Sequence, residues 1–122
     1  MIGYLTLGTN DLARAAAFYD ALLAELGAKR FMETERSIAW SVTPGTPGLS
    51  VCKPFDGQPA TGGNGTMVAL AASSHEQVNA LHARALSLGA KDEGAPGLRG
   101  PTYYGAYWRD LDGNKLCAFH IG

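Results

Sequence analysis

The chain has 122 residues, 46% of them hydrophobic, with a formal charge of −1 and a pI near 6.3. This is the length of one ordinary domain with the apolar content for a real core, although a domain so small buries only about two-thirds of the surface of its unfolded chain. The near-neutral balance offers nothing to a phosphate backbone or an acidic membrane, so no nucleic acid and no membrane are expected as partners, and no apolar run approaches the roughly 20 residues of a membrane span.

The opening Met1 to Asp11 shows no basic stretch followed by an apolar one, so no secretory signal is expected. Cys52 and Cys117 are too few for a disulfide framework, and a reduced cytoplasmic setting is the simplest reading.

In chain order, Ile2 to Thr9 reads as a strand. Asn10 or Asp11 can cap a helix whose apolar positions Leu12, Ala15, Ala16, Tyr19, Leu22, Leu23 and Leu26 keep helical spacing, with Gly27 where a C-cap glycine belongs. Three β-like segments follow, about 30–35, 37–43 and 49–53, broken by Pro44-Gly45-Thr46-Pro47-Gly48. Residues 55–65, rich in Gly, have the composition of a linker.

The pattern then recurs. Residues 66–71 read as a strand, and Ser73 or Ser74 can cap a helix through Val78, Leu81, Ala85 and Leu88 that ends at Gly89. A weak strand near 91–93 precedes strands at 103–109 and 115–120, which are joined by the turn Asp112-Gly113-Asn114. Leu26-Gly27-Ala28-Lys29 returns 62 positions on as Leu88-Gly89-Ala90-Lys91.

Each half is thus strand, helix and three strands. The fold expected is α+β: a single domain over 1–122, with one βαβββ module at about 1–56, a linker at about 57–64 and a second module at about 65–122. One such unit exposes an apolar sheet face and is marginal alone. The two are expected to form a curved mixed sheet around a shared cavity, with helices outside and the ligand inside.

Leu7-Gly8-Thr9-Asn10-Asp11-Leu12, continuing to Ala17-Phe18-Tyr19, resembles the opening of the glyoxalase/bleomycin resistance/dioxygenase (vicinal oxygen chelate) superfamily. Arg109-Asp110-Leu111-Asp112-Gly113-Asn114-Lys115-Leu116 is similar to its closing hairpin, with Leu111 where proline is usual. The resemblance covers essentially the whole chain. The linker Pro54-Phe55-Asp56-Gly57, followed by Gly63-Asn64-Gly65-Thr66, is similar to that of small bacterial members.

The resemblance implies where metal-using members, such as glyoxalase I and extradiol dioxygenases, carry their ligands. Those positions hold Tyr4 on the first strand, Met67 at the start of the second half, Cys117 on the last strand and Cys52 at its counterpart in the first half. A phenol, a thioether and two thiols are poor donors for a hard divalent cation and provide no carboxylate base, so no metal and no cofactor are expected. Two thiols and a thioether suit a soft ion such as Cu(I), or a Cys52–Cys117 pairing under oxidation. The reading preferred here is that Met and free Cys serve as apolar filler for an irregular cavity.

Other candidates follow from strand alternation. Trp40 is large enough to wall a pocket, and Tyr103, Tyr107 and Arg109 share one strand face while Tyr104 and Trp108 share the other. Arg99, on the Gly/Pro-rich stretch Gly94 to Pro101, is placed to clamp a carboxylate or phosphate, or is simply solvated. His75 and His82 read as solvated helix residues, and His120 faces away from Cys117, toward the helix layer. Asp110 and Asp112 read as turn residues.

The functional expectation is a metal-independent protein that binds a small organic molecule through Tyr4, Trp40, Cys52, Met67, Arg99, Tyr103, Tyr107 and Cys117, as in drug or metabolite sequestration. The alternatives are a metal-dependent lyase or dioxygenase of the lactoylglutathione lyase kind, and a partner-binding protein with a collapsed cavity. The resemblance implies a homodimer with a self-complementary two-fold interface.

Overall fold

The computed structural model describes residues 1–122. They form two compact units, 1–61 and 62–122. The first contains β1 (Tyr4–Gly8), α1 (Leu12–Leu23, continued by one 3-10 turn, Ala24–Leu26), β2 (Lys29–Glu33), β3 (Ser37–Ser41) and β4 (Gly48–Cys52). The second contains β5 (Val68–Ala71), α2 (His75–Ser87), β6 (Lys91–Leu98), β7 (Tyr103–Arg109) and β8 (Lys115–Ile121). The strand orders, β1-β4-β3-β2 and β5-β8-β7-β6, are the same order in the two repeats. In each sheet the first strand pairs in parallel with the last and the other pairings are antiparallel. Neither helix is long and apolar enough to cross a membrane.

The helix ends are set by local chemistry. Of the two candidates for each cap, Asp11 and Ser74 serve. The Asp11 carboxylate accepts from Arg14 N at 3.0 Å and the Ser74 hydroxyl from Gln77 N at 3.1 Å, each satisfying an amide with no intrahelical partner. At the other end Gly27 and Gly89 adopt φ of 75° and 101°, the left-handed region that favours glycine. The amides that follow reach back in the same way, Ala28 N to Leu23 O at 3.1 Å and Ala90 N to Ala85 O at 3.0 Å. The repeated Leu-Gly-Ala-Lys is therefore a repeated helix stop.

Each helix lays one face on its own sheet. From α1 come Ala15, Ala16, Phe18, Tyr19, Leu22 and Leu23, and from α2 Val78, Leu81, His82 and Ala85. They meet Ile38, Trp40 and Val51 in the first sheet and Ala106, Trp108 and Leu116 in the second, all buried. A fully buried side chain of this size contributes on the order of 1.5–3 kcal/mol, so the helix–sheet layer dominates the stability of each unit.

A polar bridge runs alongside each buried tryptophan. In the first unit Arg30 faces Trp40 across β2 and β3, and its guanidinium takes Asp20 of α1 in a fork, Nε to Oδ1 at 2.9 Å and Nη2 to Oδ2 at 2.6 Å. The Trp40 indole N–H donates to the same Asp20 Oδ1 at 2.8 Å, and Glu33 also accepts from Arg30. In the second unit the 62-residue repeat puts His82 in the place of Asp20 and Asp92 in the place of Arg30. Asp92 faces Trp108 across β6 and β7, and His82 Nε2 meets Asp92 Oδ1 at 3.0 Å. The acid changes place, on the helix in one unit and on the strand in the other. Here the buried Trp108 indole N–H has no acceptor.

Three expectations are corrected here. His82 is buried and bridged rather than solvated, because it occupies the helix face that must meet the sheet. The weak strand at 91–93 extends to Leu98, since β6 is an edge strand and tolerates Gly94, Pro96 and Gly97 with register shifts. The second-half strand starts at Val68, so Met67 lies just outside it.

The Asp20 carboxyl is held below its ordinary range, first by the hydrogen bond from Arg30. A lowered folded value contributes stability that is fully present above the unfolded value of about 3.9 and is lost as pH falls through the folded one. Asp20→Asn is therefore expected to lack part of the acid-side loss seen below about pH 4 in the wild type. At neutral pH Asp20→Ala, which orphans the Trp40 N–H, is expected to cost about 1–3 kcal/mol in urea unfolding.

Candidate functional site

With one helix covering one side of each sheet, the other side of each stays open, and alternation decides which side chains stand there. In the first unit, register places Tyr4 beside Gly48, Thr6 beside Ser50 and Gly8 beside Cys52, with Ser37 and Ala39 continuing the same face. Tyr4, Thr6, Ser37, Ala39, Ser50 and Cys52, with Phe31 and Met32 of β2, line a half-open cavity of about 400 Å³. This is within the range of small-molecule sites, and it has the usual makeup of mostly apolar walls with a few hydroxyls. Tyr4 is 68% exposed and Phe31 59% exposed, so two aromatic rings stand uncovered at its edge. A larger depression of about 700 Å³ near Asn10, Asp11, Arg30 and Lys53 is shallow and of mixed polarity.

In the second unit the open face carries Lys115, Cys117 and Phe119 of β8 and Tyr103, Gly105, Tyr107 and Arg109 of β7. The ring of Tyr103 lies back over Gly105, where an added Cβ would come within 2.7 Å of it. This brings its hydroxyl to 3.2 Å from Cys117 Sγ and its ring parallel to Phe119 at 5.5 Å. Burial pushes the Tyr103 phenol up, helped by its bond to Cys117. Burial also raises the Cys117 thiol, against the opposing pull of the two tyrosine hydroxyls and of Arg99 and Lys115. Both groups keep their protons at neutral pH.

The expected site residues therefore divide. Tyr4 and Cys52 meet on the open face of the first unit, and Tyr103, Tyr107, Cys117 and Arg99 gather on that of the second. Met67 is 44% exposed ahead of β5. Trp40 is on the covered side, against Tyr19 and Asp20, and walls no open cavity. Period-two alternation had placed it on a face without saying which one.

Several lining residues escaped the sequence reading: Thr6, Phe31, Met32, Ser50 and Lys115. Four of them had a legible signal, since Thr6 and Ser50 share the parity of Tyr4 and Cys52 and Lys115 that of Cys117, while Phe31 is an apolar ring on an edge strand.

His120 does face the helix layer. Its Nδ1 is 2.9 Å from Ala72 O, and its ring meets the edge of His75, which itself stacks on Tyr104 at 4.0 Å. Asp110 acts as a turn residue, accepting from the amides of Asp112 and Asn114 at 2.9 Å each.

The metal-ligand positions implied by the sequence resemblance fit a hard divalent cation poorly. Tyr4 is a solvent-facing phenol, Met67 a thioether, and Cys117 a buried, protonated thiol already engaged with Tyr103. No group of three or more His, Cys, Asp or Glu side chains converges to hold an ion.

The two thiols should also differ in reactivity. Cys117 has no exposed surface and a raised pKa, whereas Cys52 is half-buried at a cavity edge. Ellman's reagent is expected to label Cys52 in the native protein at least about tenfold faster than Cys117, which should react only on unfolding. Equal rates would contradict the placement of Cys117.

Known proteins share this fold. A sequence profile of the Glyoxalase/Bleomycin resistance protein/Dioxygenase superfamily matches residues 1–118. A glyoxalase/bleomycin resistance protein from Albidiferax ferrireducens is 39% identical, with a TM-score of 0.91 over 100% of this chain and 99% of that one. A glyoxalase/bleomycin resistance protein/dioxygenase family enzyme from Burkholderia phytofirmans is 17% identical (TM-score 0.80, covering 98% of each chain). Lactoylglutathione lyase from Agrobacterium tumefaciens is 20% identical (TM-score 0.69, covering 98% of this chain and 92% of that one). These last two likenesses are of fold alone. No curated protein matches the chain. With its repeated βαβββ units and its matching profile, the chain belongs to the glyoxalase/bleomycin resistance protein/dioxygenase superfamily.

Proposed function

We propose that this protein is a metal-independent member of its superfamily that binds a small organic molecule on the open sheet faces, in the manner of drug or metabolite sequestration. The observation that carries the reading is the cavity of about 400 Å³ in the first unit, edged by the exposed rings of Tyr4 and Phe31. Exposed aromatic rings around an apolar recess cost solvation free energy until a planar apolar partner covers them. The donors at the implied metal positions support binding over metal chemistry, because a phenol, a thioether and two thiols supply neither a hard-ion site nor a carboxylate base. The reading takes the protein as cytoplasmic and homodimeric. Exposed Leu5, Val42, Phe55, Leu98 and Ile121 provide apolar surface of the kind a second copy covers.

A ligand specific to the folded state raises its stability by about 2.7 kcal/mol at a hundred times its dissociation constant. A thermal-shift panel of small aromatic compounds is therefore expected to yield at least one that raises Tm by several degrees, with or without chelator. Tyr4→Ala and Phe31→Ala, both at exposed positions, should weaken that binder about tenfold and leave the Tm of the free protein nearly unchanged. A panel in which nothing stabilises the wild type would contradict the reading.

A further inference from the structure

Arg99 sits where β6 turns into β7, its amide donating to Tyr103 O at 2.8 Å. From there its guanidinium folds back along β6, with Nη2 donating to Ala95 O at 2.7 Å. Two glycines make room for it: a Cβ at Gly97 would fall 3.0 Å from Nη1, and one at Gly94 would fall 3.3 Å from Nη2. The folded-back cation ends 5.5 Å from the centre of the Tyr107 ring, and Lys115 Nζ lies 5.6 Å from that same centre.

The charges around this ring do not balance. Arg109 and Lys115 share one carboxylate, Glu93, at 2.8 and 3.5 Å, and the Glu93 carboxyl is held below its ordinary range chiefly by the bond from Arg109. Arg99 has a backbone carbonyl and no acid. Three cations therefore face one anion on a chain whose overall charge is −1, so the excess is local. Like charges gathered at one ring repel, and a bound anion relieves that repulsion. Beside them the stacked Tyr103 and Phe119 rings add apolar aromatic surface on the same face.

Resting on the reading that the open faces bind small molecules, we propose that Arg99 and Lys115 form an anion clamp over Tyr107, and that the second open face takes a small aromatic acid whose carboxylate or phosphate they hold. Arg99 supplies a planar fork with unspent donors, matched to two oxygens of one head group, and Lys115 adds a point charge. The aromatic body of the ligand lies along Tyr103 and Phe119. The two head groups share this chemistry.

Isothermal titration of benzoate, phenyl phosphate and benzamide tests the clamp, because the three keep one ring and change its charge. Against wild type, at least one of the two anions is expected to bind tenfold or more tightly than benzamide, and the stronger one identifies the head group. That preference should fall about tenfold in Arg99→Gln and in Lys115→Met, with benzamide unaffected. Two independent substitutions keep the test valid if one variant fails to fold. Equal binding of all three compounds to wild type would overturn the clamp, as would a preference that survives both substitutions or no binding of any of the three. The broader reading falls only if the neutral members of the thermal-shift panel also leave Tm unmoved.

Discussion

A helix can cover only one side of a sheet, and in both units the side it covers is fixed at one buried tryptophan. Trp40 and Trp108 each lie beneath the helix of their own unit, each with a polar bridge from helix to edge strand beside it. Once that side is chosen, period-two alternation sends the remaining residues to the open side, because a slip of one residue would invert every side chain. Whatever the open faces do follows from this choice.

The two bridges show how much freedom the repeat retains. Asp20 with Arg30 and His82 with Asp92 occupy matching positions, with the acid moved from the helix to the strand. In the first unit the helix acid serves both Arg30 and the Trp40 indole. In the second no acceptor meets the Trp108 indole N–H. The geometry of the frame is kept while the side chains drift, and the same holds on the open faces. Hydroxyls, Phe31 and Met32 surround the first cavity, while cations and stacked rings stand on the second face.

The frame was legible in the sequence because its signals are local. Capping side chains, a glycine stop repeated 62 residues apart and alternating strands each act within a few residues. The full length of β6 is not legible because Gly94, Pro96 and Gly97 read as loop, although an edge strand tolerates them. The side on which Trp40 stands is not legible either, because alternation gives relative faces and no absolute side. The Arg99 placement depends on a side chain folding back over two glycines toward a tyrosine on the next strand, a contact for which no spacing rule exists.

The central claim is that the donors on these open faces suit organic ligands and not a hard divalent ion. Elemental analysis of protein purified from metal-replete medium tests it most directly. The account predicts Zn, Ni, Fe and Mn each well below one equivalent per chain, and no loss of Tm on adding chelator. One equivalent of any of them, bound in a form that a chelator strips with loss of stability, would contradict it.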